Sequence, residues 1–115
     1  MNDKYERQIK KGVFEILVLK LLSQKEKYGY QLISELKDKS RGAFTLKEGT
    51  LYPILYRLEE DKLVTSKWSI PSKRTISKKY YYITDEGLNV LQELIDLWNM
   101  FDENVNQILQ EDYGE

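Results

Sequence analysis

Cysteine and histidine are both missing from this 115-residue sequence. Without cysteine there can be no disulfide and no thiolate metal site. Without histidine, the commonest general base and the commonest zinc ligand are gone. No spacing of tyrosines, lysines or carboxylates suggests catalysis in their place, so neither an enzyme, a metal nor a cofactor is expected. Long apolar runs are also lacking. A membrane span needs about 20 such residues, and the best stretch, VFEILVLKLL at 13–22, is short and carries Glu15 and Lys20. The opening MNDKYERQIKK lacks the order of a secretory signal. The default expectation is a cytoplasmic protein with no membrane partner. Finally, Lys and Arg are absent beyond residue 82. All 18 lie before it, leaving residues 1–82 at +8 and residues 83–115 at −9, although the whole chain nets −1.

What is present is one domain's worth of globular sequence, 41% hydrophobic and 32% charged. Residues 5–23 are predicted to form a first helix, with Ile9, Val13, Ile16, Leu17 and Lys20 on one side and apolar residues on the others. A helix apolar nearly all round is buried on more than one face. Lys25-Glu26-Lys27 reads as a polar connection. A second helix follows over Tyr28 to Lys39, with Tyr30, Ile33 and Leu36 inward, and Gly42 is placed to end it in the left-handed conformation. Thr45 with Glu48 fits a capping box opening a third helix, whose buried stripe is Leu51, Ile54, Leu55 and Leu58. Pro53 removes one hydrogen bond from that helix. Either Gly49 absorbs a distortion, or the regular helix starts at Thr50 and Pro53 falls in its first turn.

Two strand-like runs, Leu63 to Ile70 and Ser77 to Ile83, flank a basic turn, with Trp68, Tyr80 and Tyr82 expected to stack across the hairpin. From Lys62 to Tyr80 the chain carries six cations and no acid, a surface suited to a phosphate backbone. Thr84 should cap a last helix bearing a heptad of Leu91, Leu94, Trp98, Phe101, Val105 and Ile108. Such a helix is about 40 Å long, and a second copy of the chain would cover its stripe. The expected fold is mostly α with a small β-hairpin: a winged helix-turn-helix over residues 1–83, then a long dimerisation helix over 84–115. Val13 on the first helix is expected to join that heptad in the dimer interface.

Three stretches resemble the PadR family of bacterial transcriptional regulators: Lys27 to Leu32 (KYGYQL), Glu48 to Glu59 (EGTLYPILYRLE) and Lys79 to Gly87 (KYYYITDEG). In order and separation they are similar to its short-tailed branch, which includes multidrug-responsive repressors. The resemblance implies a homodimer on a palindromic operator in double-stranded DNA, usually a repressor released by a small molecule. It also implies an effector pore between subunits, where Trp98 matches a pore tryptophan and Ile16, Leu94 and Asp102 match other lining positions. Three departures stand out. The wing tip Pro71 to Ser77 has no glycine, Lys62 and Tyr82 stand where Gly and Arg are common, and Leu97 and Phe101 are bulky neighbours for a pore.

Lys47, Thr50, Tyr52 and Arg57 lie off the buried stripe of the third helix and are expected to face DNA, with Arg57 suited to guanine or phosphate. Lys73 and Arg74 at the wing tip suit phosphates or the minor groove, and Lys78 and Lys79 suit the backbone. Solvation is the plain alternative for each. Tyr28 and Tyr30 read as packing residues, with one hydroxyl able to reach phosphate. A tryptophan in a heptad is ordinarily core, whereas two facing Trp98 side chains could sandwich a planar aromatic compound, with Asp102 favouring a cationic one. The rival function is a winged-helix adaptor for protein partners without sequence-specific DNA binding.

Overall fold

The computed structural model describes residues 3–111. In order these form helices α1 (Asp3–Lys10) and α2 (Val13–Gln24), strand β1 (Lys27–Tyr28), helices α3 (Gly29–Lys39) and α4 (Glu48–Glu60), strands β2 (Val64–Trp68) and β3 (Lys79–Ile83), and helix α5 (Asp85–Leu109). The fold is mostly helical with a small antiparallel sheet of order β1-β3-β2. Three helices and the sheet share one core. Val18, Leu19 and Leu22 of α2, Leu32 and Leu36 of α3, and the Leu51, Ile54, Leu55, Leu58 stripe of α4 are all buried. Tyr81, at the centre of β3, closes that core from the sheet side and is fully covered.

Several local expectations hold. Gly42 takes φ +83 and its N–H reaches back to the Lys37 carbonyl at 2.8 Å, but Arg41 at φ +55 comes first, so the left-handed end of α3 is shared by the two residues. The Thr84 hydroxyl accepts from the Gly87 N–H at 2.9 Å and caps α5. Lys62 stands at φ +63, the left-handed conformation in which glycine is the unstrained residue.

Others are corrected. The first helix is two, because Lys11 and Gly12 form a turn between α1 and α2. Glycine is a poor helix residue, and apolar periodicity on both sides of it conceals the break. Ile9 and Lys20 are exposed. Lys27 is no loop residue: it pairs with Tyr81 in the sheet, is buried, and holds Glu35 at 3.0 Å. Tyr30 points outward, 67% exposed. The Thr45 box does not form, since its hydroxyl donates to the Gly42 carbonyl at 3.1 Å and Lys47 is the residue before α4. The reciprocal bond occurs instead at α3, where the Tyr28 N–H donates to Gln31 Oε1 at 3.1 Å. Helix α4 is regular from Glu48, so Pro53 sits within it. That rules out a start at Thr50. Register separates the hairpin aromatics: Trp68 faces Lys79, while Tyr80 and Tyr82 face Lys67 and Thr65 and so lie on the opposite side of the sheet. Tyr80 instead meets Tyr28 edge-on, 5.4 Å between centroids.

Helix α5 is 25 residues, about 38 Å long. Its first turns dock on the base of the wing. A Cβ on Gly87 would overlap the Leu63 carbonyl oxygen and stand 2.7 Å from Ile83 Cγ1, so only glycine fits there without displacing backbone. Leu91 is buried, Leu94 and Ile95 are half-buried, and from Asp96 onward every described residue is exposed.

Candidate nucleic-acid interface

Helix α4 buries one stripe and presents a ridge of Gly49, Pro53 and Tyr56 to solvent. Gly49 meets nothing within 4 Å of where a side chain would start. Two grooves run beside this ridge. One, about 400 Å³, lies between α4, the start of α3 and the wing, and is lined by Tyr30, Tyr52, Tyr56, Trp68, Lys78 and Lys79 among others. The other, about 540 Å³, lies between the start of α4 and α1, with Arg7, Lys10, Lys47 and Thr50 in its walls.

Of the four α4 positions expected from sequence, Tyr52 belongs to the wing side, and Lys47 and Thr50 to the α1 side. The Tyr52 hydroxyl lies against Gly29, where a Cβ would come within 2.9 Å of Tyr52 Cζ. Burial, then the nearby Glu48 carboxylate and Tyr56, raise the Tyr52 phenol above its ordinary range. It is thus a neutral hydroxyl at physiological pH, able to donate to a phosphate. Arg57 departs from the expectation. Its Nε donates to Glu15 Oε1 at 3.1 Å and its Nη2 bonds the same oxygen, so the guanidinium braces α4 against α2.

On the wing, Lys78 Nζ stands 4.4 Å from the Tyr28 ring centroid and Lys79 Nζ 5.8 Å from that of Tyr56. Such contacts hold each ammonium beside α3 and α4 while leaving its protons available. The tip closes without glycine. Ser72 and Thr75 exchange backbone bonds at 3.2 and 3.4 Å and their hydroxyls meet at 2.7 Å, which leaves Lys73 and Arg74 exposed at the apex. Tyr56 and Trp68, each more than half exposed, join this surface unforeseen, and Tyr30, at 67% exposure, stands on it as well. The spacing of Tyr56 from Gly49 and Pro53, seven and three residues, was the available signal for one of them.

Tyr81, buried at the centre of β3, has no hydrogen-bond partner for its hydroxyl among the described residues. Burial foremost, then Tyr56, Glu59 and Tyr52, push its phenol up to about 12.

A recognition helix with a basic two-stranded wing on one flank is the arrangement of winged-helix DNA-binding proteins, and comparison with known proteins agrees. The model of the transcriptional regulator PadR-like family matches residues 18–93. The chain belongs to that family. A PadR-like transcriptional regulator from Bacillus cereus is 38% identical, with a TM-score of 0.77 covering 91% of this chain and 99% of that one. A PadR family transcriptional regulator from Eggerthella lenta is 34% identical, with a TM-score of 0.79 covering 98% and 91%. The transcriptional regulator YqjI of Escherichia coli is 28% identical over 94 residues, 82% of this chain, which spans 43% of that regulator's length. PadR-like regulators are DNA-binding transcriptional regulators rather than enzymes, and this chain shares their winged helix and long following helix.

The second set of sequence-predicted residues in this PadR-like chain lies elsewhere, on α2 and α5. Ile16 and Leu94 are half-buried against the core. Trp98 is 45% exposed, and Asp102 is exposed with Asn106 Nδ2 donating to it at 3.4 Å. Val13 is half-buried on α2. Among the described residues, no helix is long and apolar enough to cross a membrane.

Proposed function

We propose that this chain is a homodimeric repressor that binds a palindromic operator and is released by a planar, aromatic or cationic small molecule. In this reading residues 1–83 bind DNA and residues 84–115 dimerise. The observation that carries it is the uncovered stripe of α5. Trp98, Phe101, Val105 and Ile108 are 45, 55, 51 and 67% exposed, and they continue the heptad that Leu91 begins inside the core. Water disfavours that much apolar surface on one line. A second α5, together with Val13 and its neighbours on α2, removes it symmetrically.

DNA contacts fall to Lys47, Thr50 and Tyr52 on α4, Lys78 and Lys79 on the wing stem, and Lys73 and Arg74 at its tip. Arg57 contributes only by leaving Glu15. The effector lies between the two Trp98 indoles, flanked by Leu94 and Ile16, with Asp102 offsetting a cation's charge. Release follows if the ligand prefers a dimer with wrongly spaced α4 helices, since equal affinity for both forms shifts nothing. The test titrates planar cationic dyes while following tryptophan fluorescence and operator release. Trp98→Ala should abolish both responses and leave the dimer intact. Dyes that bind the variant as well as the parent would remove the effector site.

A further inference from the structure

The wing accounts for only one side of the recognition helix. B-DNA's major groove is about 12 Å wide, and a helix with its side chains is about as broad. A helix seated there therefore has a sugar-phosphate strand along each flank. On the wing flank of α4 stand Lys78 and Lys79. On the other flank stands α1, across the 540 Å³ groove that it shares with Lys47 and Thr50.

Two cations in that groove differ in how they are used. Lys10 is committed: it pairs with Glu6 at 3.2 Å, donates to the Ala43 carbonyl and lies 5.3 Å from the Phe44 ring centroid. Those contacts fasten α1 to the loop before α4. Arg7, one turn earlier, is exposed and has neither an ion pair nor a hydrogen bond from its side chain among the described residues. Lys47 across the groove is in the same condition. Lys10 also neutralises Glu6, the one acid in the groove wall, so the free charge there is positive.

We propose that α1 is a second phosphate clamp: Arg7, held in place by Lys10 and acting with Lys47 and Thr50, grips the DNA strand opposite the wing. The inference rests on the DNA-binding reading and adds to it a segment outside the winged helix proper. An arginine fork suits this position because it takes two phosphate oxygens in one plane. The contact carries no sequence information, and its effect falls equally on all duplexes.

The experiment compares Arg7→Ala and Arg7→Lys with the parent and with the double variant Lys73→Ala, Arg74→Ala. Each is titrated over a range of salt concentrations against a duplex that the protein has selected from a random-sequence pool, and against unselected duplex. Arg7→Ala should flatten the slope of log affinity on log salt by about one per bound subunit. It should weaken both duplexes by a similar factor, and Arg7→Lys should restore most of the slope. Sedimentation should show the same assembly in all the variants. If Arg7→Ala keeps the parent's slope while the wing variant loses its own, the clamp is wrong and the DNA reading stands. A loss that tracks a change in assembly also overturns it. A parent that binds neither duplex removes the DNA reading itself.

Discussion

The two halves of the apolar pattern in α5 meet opposite fates. Leu91 and Leu94 lie against the body, and Gly87 fixes where the helix begins its descent onto the wing base. Four residues further on, the same heptad runs into solvent, on a segment without a single Lys or Arg. The body it leaves is basic and tightly packed. Identical periodicity therefore lies against the chain's own core in one region and stands open to solvent in the other. The difference lies in reach: the body is too small to cover a helix about 38 Å long.

The largest effect should come from charging the uncovered stripe. Replacing Phe101 and Ile108 together with Glu is expected to convert a dimer to monomers by sedimentation, and to weaken binding to a palindromic duplex by a hundredfold or more as the half-sites separate ( gives gains of about 10²–10⁴). A double variant that stays dimeric would show that the exposed heptad is not the seam. On the docked side, Gly87→Ala forces a methyl against the Leu63 carbonyl and should cost about 3 kcal/mol in denaturant unfolding. An unchanged midpoint would mean that α5 docks less firmly than its first turn suggests.

Within the basic body, replacing Lys73 and Arg74 with Ala should weaken all duplexes alike and flatten the salt slope by about two per subunit. An adaptor for protein partners would show no such slope to lose. A smaller effect appears at high pH. The Tyr81 phenol is raised to about 12 from 10 by folding, so the unfolded chain releases this proton first. The stability it contributes is complete below pH 10 and falls away from pH 10 to about 12. Tyr81→Phe should remove that fall and, by deleting a buried hydroxyl without a partner, leave neutral-pH stability equal or slightly higher. The smallest effect is expected of Arg57→Ala. Its ion pair with Glu15 is more than half exposed on the arginine side, and such pairs contribute about 0–1 kcal/mol. A large, sequence-dependent loss of DNA affinity in this variant would mean that Arg57 leaves Glu15 for a base.

What the sequence discloses follows the range of the interaction. The stripe of α4, the Gly42 terminus, the Thr84 cap and the two main strands all depend on neighbours within a turn or a hairpin, and each was legible. The break at Gly12 was not, because apolar residues continue across it. Nor was the burial of Lys27, whose partner Glu35 lies on another element. Arg57 shows the same limit at the site. Its position off the apolar stripe is correct, but the acid that holds it comes from α2, 42 residues away. The wing cations were readable from composition, whereas the aromatic surface of Tyr30, Tyr56 and Trp68 required knowing which face each strand and helix turns outward.

Gly49 has a further consequence. It sits in the first turn of α4, on the outer ridge, with open space where a side chain would begin. The fold places no neighbour against this position. If α4 enters the major groove as proposed, a library at residue 49 should change sequence preference in a selection from random duplexes while leaving the unfolding midpoint unchanged; an unchanged preference would place this ridge away from the bases. Side chains added there would extend from the exposed ridge of α4 without displacing any neighbour.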